Sequence, residues 1–212
     1  LPGVILVDEC RWPFRGRRWC HCVSDASLVE LHRFVRLLGV PRRGFQGDHY
    51  DLPEAARAAA IDRGASAVDS RDLLARLRGA GLRLSPAARR AGDWQVAALR
   101  LDPADWLGRP VAVDVDRPLG TWHALSEGPA PVNVGAVSGT AGHDGLPFDA
   151  YVLGPDTPLT EVQATVVAVA RRHGDVEDKL VAVTGGAWDR QGIEAAIAFA
   201  EHPFHTEVLV AG

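Results

Sequence analysis

The chain has 212 residues, 47% hydrophobic and 24% charged, an ordinary globular composition with room for two small cores. A net charge of -4 and a pI near 6.1 give no global electrostatic reason for a nucleic-acid partner, which is therefore unexpected. No apolar run reaches bilayer-spanning length, so no membrane role is expected.

Three cysteines, Cys10, Cys20 and Cys22, crowd one segment without a disulfide or zinc spacing. A reduced, cytoplasmic protein is expected. Val4 to Val7 is a continuous apolar run ending at Asp8, as in a buried strand rather than a signal peptide. Arg11 to Arg18 is basic and aromatic and reads as a loop. Asp25 or Ser27 can cap a helix with Leu28, Leu31, Val35 and Leu38 on one face and Gly39 as its stop. A second helix is expected from Pro53 to Gly64, with an alanine-rich body. Ser66 to Val68 is a short strand, and a third helix spans about Arg71 to Arg78. This order predicts a small α/β domain over 1–84. Residues 85–95, with Pro86, small alanines and no apolar periodicity, read as a linker to a second domain over 96–212.

The second domain begins with short strand candidates. Pro110 to Val115, Ala150 to Leu153, Thr165 to Val169 and Leu180 to Val183 are apolar or β-branched, with glycine, proline and aspartate between them. That pattern predicts a small barrel or sandwich. A helix follows over about Asp189 to Glu201, with Ile193, Ile197 and Ala200 on one face, and Thr206 to Val210 closes the fold as a strand.

Two acidic turns feed two of these strands. Asp144 and Asp149 lie in a glycine-containing turn before Ala150, and Glu177 and Asp178 lie just before Leu180. Clustered carboxylates at one end of a barrel suit magnesium, which takes oxygen ligands and phosphate oxygens. Lys179 is the single lysine beside 22 arginines. A compact ammonium is not interchangeable with a guanidinium, and here it is placed to hold a phosphate oxygen. The plain alternatives are an Asp-Gly turn and a solvated charged turn.

Read together, Asp116-Arg117-Pro118-Leu119-Gly120, Pro131-Val132-Asn133-Val134-Gly135, the run Asp144 to Gly154 and the run Asp175 to Val183 resemble the family I soluble inorganic pyrophosphatases, in their short bacterial form. The likeness covers about Pro110 to Val210. It implies a pyrophosphatase-like, OB-like β-barrel with one packed helix, and so an α+β chain overall. It also implies Mg2+ at Asp144, Asp149 and Glu177 or Asp178, phosphate contact at Lys179, and a substrate-site acid at Asp114. Asp114 could equally be an outward-facing strand residue. The sequence departs from the family at Leu146, where the metal turn has an acid, and at Ala130, Val134 and Ala136, where it has tyrosines. Ala112 stands at a lysine position. Loss of one such donor typically removes about 3 kcal/mol of transition-state stabilisation.

The first half carries its own cluster. Trp19-Cys20-His21, Ser24-Asp25, Glu30-Leu31-His32, Phe45-Gln46 and His49-Tyr50-Asp51-Leu52 resemble a small bacterial and phage domain of unknown function over about Val4 to Arg78. That likeness implies no activity. His21, His32 and His49 with Asp8 or Asp51 could form a metal or acid/base site, or could shape a small core. The arginines at 11, 15, 17 and 18, interleaved with Trp12, Phe14 and Trp19, suit phosphate or single-stranded nucleic acid, or a solvated loop with aromatic anchors.

The leading expectation is a metal-dependent phosphoanhydride hydrolase acting on a small phosphorylated molecule, with Asp149, Lys179 and Asp114 in catalytic positions. The rivals are a catalytically silent barrel that binds a phosphorylated ligand or protein, and chemistry carried by the N-terminal histidines. A homo-oligomer is compatible with the sequence.

Overall fold

A computed structural model describes residues 3–211. The chain divides into two compact units, Leu1–Val96 and Ala97–Gly212. No helix among the described residues is long and apolar enough to cross a membrane.

In the first unit, β1 (Ile5–Val7) lies between β3 (Arg17–Ser24) and β5 (Ser66–Ala67), antiparallel to the former and parallel to the latter. The segment expected to be a loop instead forms a hairpin, in which β2 (Trp12–Phe14) pairs with β3 through Arg15 and Gly16. Both turn residues have positive φ, 47° and 73°, as tight hairpin turns require. β4 (Tyr50–Pro53) pairs with the other side of β3.

Helix α1 (Leu28–Leu37) is capped by Ser27, which accepts from the Glu30 N–H. Asp25 serves elsewhere, accepting from the Val4 N–H and from Arg76. Helices α2 (Glu54–Asp62) and α3 (Ser70–Gly79) complete the expected set. Leu6 of β1 and Val23 of β3 pack with Leu73 and Leu77 of α3 in a shared core.

Residues 85–95 are part of this first unit. Ser85 caps a short helix, α4 (Pro86–Ala91), whose Arg89 reaches Asp48, and Trp94 packs edge-on against Phe45. The missing periodicity reflects a helix of under two turns, held by polar contacts.

The second unit opens with α5 (Pro103–Trp106) and β6 (Pro110–Arg117). A small side ribbon follows, made of β7 (Trp122–His123) and β8 (Gly128–Pro129). Then come β9 (Asn133–Val137), β10 (Asp149–Leu153), β11 (Glu161–His173), β12 (Lys179–Val183), α6 (Arg190–Glu201) and β13 (His205–Val210).

Strands β6, β9, β10, β12 and β11 close into a five-stranded barrel, because β11 pairs with both β12 and β6. β13 adds to the far part of β11. The barrel interior holds Val111, Val113, Val152, Val166, Val169 and Leu180 among others. A second core, with Tyr151, Leu153, Val181, Ile193 and Ile197, lies between the outer barrel face and α6. β10 and β12 are therefore buried on both faces, which is why they read as unbroken apolar runs.

β9 went unrecognised in the sequence because Gly135 interrupts its apolar pattern. A Cβ there would lie 2.3 Å from the Asp114 carbonyl oxygen and 2.8 Å from the Val115 Cα, so the close approach of β6 and β9 admits only glycine.

Candidate metal centre

The strongest polar constellation lies in the first unit. His21 on β3 and Asp51 on β4 are directly opposed in the strand register. His49 precedes β4 by one residue, two before Asp51, so alternation turns both to the same side. His21, His49 and Asp51 each offer one ligand atom, and these lie within 4.8 Å of one another. His49 Nε2 is 3.5 Å and His21 Nε2 is 4.0 Å from Asp51 Oδ1. Among the described residues this is the one group of three such side chains in shared reach.

Each imidazole is oriented from behind by a buried carboxylate. His21 Nδ1 lies 2.9 Å from Asp8 Oδ2, and the His21 N–H donates to Asp8 Oδ1 at 2.7 Å. Ser70 Oγ donates to the same carboxylate at 2.8 Å. Burial alone would raise the Asp8 pKa, but these hydrogen bonds from His21 and Ser70 hold it below the ordinary value.

His49 Nδ1 lies 2.6 Å from Asp48 Oδ1. Asp48 also accepts from Arg83, Arg89 and the Leu84 N–H. Burial opposes ionisation of Asp48, yet His49, Leu84 and Arg89 together pull its pKa well below the carboxylate range. Burial disfavours a charged His49 ring, and its bonds to Asp48 and Asp51 outweigh that and raise its pKa.

With Nδ1 engaged, Nε2 of each ring is left to face Asp51, the usual arrangement behind metal-binding histidines. Two imidazoles and one carboxylate suit a zinc-like divalent ion, and three protein ligands leave a coordination position open. Asp51 is about half exposed, and a cavity of about 260 Å³ is lined by His21, His49, Asp8, Ser70, Arg83 and Arg89.

Two expectations change here. His32 is not part of the group. It is buried, with Nδ1 2.9 Å from the Tyr50 hydroxyl and its ring edge-on to Phe45, and burial lowers its pKa to about 3. Asp8 supports His21 rather than joining the three ligand atoms. Asp48 was missed in the sequence, although an acid immediately before a histidine was the available signal.

The barrel acids are arranged differently. Asp149 is buried and ion-paired with Arg117, at 2.5 Å, and with Lys179. Asp178 accepts from Arg100 at 2.7 Å, Arg171 at 3.2 Å and the Leu101 N–H at 3.0 Å. Asp144 accepts from the Leu146 N–H, an ordinary turn bond. Burial raises the Glu177 carboxyl; Lys179 opposes this, and Asp149 and Asp144 reinforce it. Asp114 is exposed and accepts from Ser138 Oγ at 2.9 Å, as an outward-facing strand residue does.

Among the described residues, no three of Asp144, Asp149, Glu177 and Asp178 share a metal's reach. The residues do not fit the expected Mg2+: two of the four carboxylates are neutralised by basic side chains, and Leu146, between Asp144 and Asp149, is buried and offers no oxygen ligand. Lys179 is engaged by Asp149 rather than facing an open phosphate seat.

Residues 5–80 match the family model described as "Protein of unknown function (DUF4031)". That span contains Asp8, His21, Asp48, His49 and Asp51. No curated protein matches the chain. Over about half its length the chain is similar to solved bacterial inorganic pyrophosphatases at low identity. The Ehrlichia chaffeensis enzyme is 17% identical, with 51% of this chain and 81% of that one covered and a TM-score of 0.34. For the Helicobacter pylori enzyme the values are 19%, 54%, 87% and 0.36. For the Coxiella burnetii enzyme they are 15%, 55%, 89% and 0.37.

Proposed function

We propose that the first unit is a metal-dependent hydrolase centre in which His21, His49 and Asp51 hold one zinc-like divalent ion. The observation that carries this is the convergence of three ligand atoms within 4.8 Å, with a buried carboxylate behind each imidazole. A bound divalent ion lowers the pKa of its water and so supplies hydroxide near neutral pH. Asp8 and Asp48 fix the two ring orientations, and Ser70 holds Asp8 in place. Arg83 and Arg89 line the same cavity, which favours an anionic, phosphorylated substrate. The free thiols of Cys10, Cys20 and Cys22 fit a reducing, cytoplasmic setting.

Metal content, not activity alone, tests the centre. Protein made with zinc, manganese and cobalt available should retain about one ion per chain, a stoichiometry that follows from the three-ligand set. His21→Ala and Asp51→Ala should lose it while keeping the wild-type circular dichroism. Wild-type protein with no bound metal, and no thermal shift on adding any of the three, would overturn the proposal.

For the barrel, the ion pairs at Asp149 and Asp178 favour the silent, ligand-binding reading over a magnesium hydrolase. With magnesium and pyrophosphate, the Asp51→Ala protein should release no phosphate above a buffer blank. Release that disappears on adding Lys179→Ala would restore the hydrolase reading of the barrel.

A further inference from the structure

β3 carries His21 into the metal centre, while its hairpin partner β2 stands beside that centre and supplies none of its ligands. Trp12 and Phe14 are 56% and 59% exposed, and the third large exposed hydrophobic among the described residues, Val29, is elsewhere. Two residues apart on one strand, Trp12 and Phe14 share a face. The Trp12 ring meets the His21 ring edge-on, with centroids 5.9 Å apart, and Phe14 meets Trp19 in the same way at 6.4 Å. A cavity of about 330 Å³ is lined by Trp12, Phe14, Trp19, Gln46, His21 and Asp51. The aromatic wall and two of the three metal-centre residues therefore face one space.

The lining of this space carries one acid, Asp51, and arginines stand on the hairpin beside it. Arg15 lies over Phe14, 5.2 Å from the ring centroid, and Arg17 and Arg18 continue the hairpin. The first unit has 16 arginines and no lysine against 11 aspartates and glutamates, a surplus of five positive charges with histidine neutral. The whole-chain charge of -4 hides this, because the second unit carries the acidic excess.

An exposed aromatic pair set among arginines is the chemistry that holds a base by its face and its phosphate by charge. We infer that this cavity binds a nucleotide, with the base stacked on the Trp12–Phe14 wall and the phosphate directed toward the arginines and the His21–Asp51 side. The nucleotide comes either free or as part of a single strand. The reaction at that phosphate rests on the metal-centre reading, whereas the stacking surface does not.

The test is fluorescence anisotropy of full-length protein with labelled single-stranded RNA and DNA oligonucleotides, run with chelator and again with zinc. Wild type should bind, and binding should weaken as salt rises. Trp12→Ala and Phe14→Ala should each weaken it by about tenfold or more, the usual effect of removing a stacking partner. Both side chains are exposed, so both variants should fold and keep their metal. Competition by adenosine monophosphate at equal base concentration identifies the free nucleotide as the ligand, and failure to compete identifies the strand. No binding of any of these probes, or undiminished binding by both variants, overturns the inference. Strand binding by a protein without metal sinks the metal centre alone, and metal without binding sinks the nucleotide site alone.

Discussion

Asp48→Asn should destabilise the first unit by about 3 kcal/mol and weaken metal binding by about 10–100-fold. Asp48 is fully buried and meets four partners: His49, Arg83, Arg89 and the Leu84 N–H. An amide retains one acceptor but no charge, so two guanidinium groups lose their counter-ion. Arg83 and Arg89 are each about one-third exposed, and water softens that loss toward the lower end of the range for broken buried pairs. His49 loses the partner that fixes its ring, and this reaches the metal. Denaturant titration and metal titration read the two effects separately. A variant with wild-type stability and wild-type affinity would show that Asp48 supports neither.

Arg172→Met should cost the second unit about 3–5 kcal/mol. The Arg172 guanidinium is buried between β11 and α6. It donates to Glu201 at 2.7 and 2.8 Å, to Asp175 at 3.1 Å and to the Tyr151 hydroxyl at 3.2 Å. Its far face covers the Phe204 ring at 4.1 Å. Removing it leaves two buried carboxylates without their charge partner, the costly way to break such a network. Adding Glu201→Leu removes one orphaned charge and should recover part of the loss.

The same network predicts a pH dependence. Burial pushes the Glu201 pKa up, but Arg172, Tyr151 and Thr206 pull it below its ordinary value. A depressed carboxylate contributes stability in full above its unfolded pKa, near 4.3, and loses it as pH falls through that value to the folded one. Wild-type denaturation midpoints should therefore fall below about pH 4 more steeply than those of the double variant. Parallel pH curves for the two proteins would contradict this.

The fold was legible where one physical signal dominated. Leu31 and Val35 mark the buried face of α1, and Ile193 and Ile197 that of α6, as their helical spacing required. The runs at β10 and β12 are apolar because both faces are covered. β3 was hidden because its first residues, Arg17 and Arg18, are exposed and basic, and burial sets in only from Cys20 onward.

At the candidate site the residue types were visible but the grouping was not. His21 and Asp51 meet only through the β3–β4 register, which no linear spacing encodes. His32 looked equivalent to His21 in the sequence, but the α1 position that makes it buried also turns it toward Tyr50. The barrel acids looked like metal ligands because Arg100 and Arg117, distant in sequence, gave no sign of closing on Asp178 and Asp149.

The shared strand β11 also constrains how the second unit acquires its structure. Its first part pairs Val162 with Val113, its middle pairs Val169 with Leu180, and its end pairs Arg172 with Thr206. No consecutive hairpin can close this barrel alone, because β6 stays open until a strand from beyond β9 and β10 arrives. The entropy of closing that long loop is lost before the pairing returns any stability. The second unit should therefore fold with the slow kinetics of non-local β topologies, with the meeting of β6 and β11 as its late step.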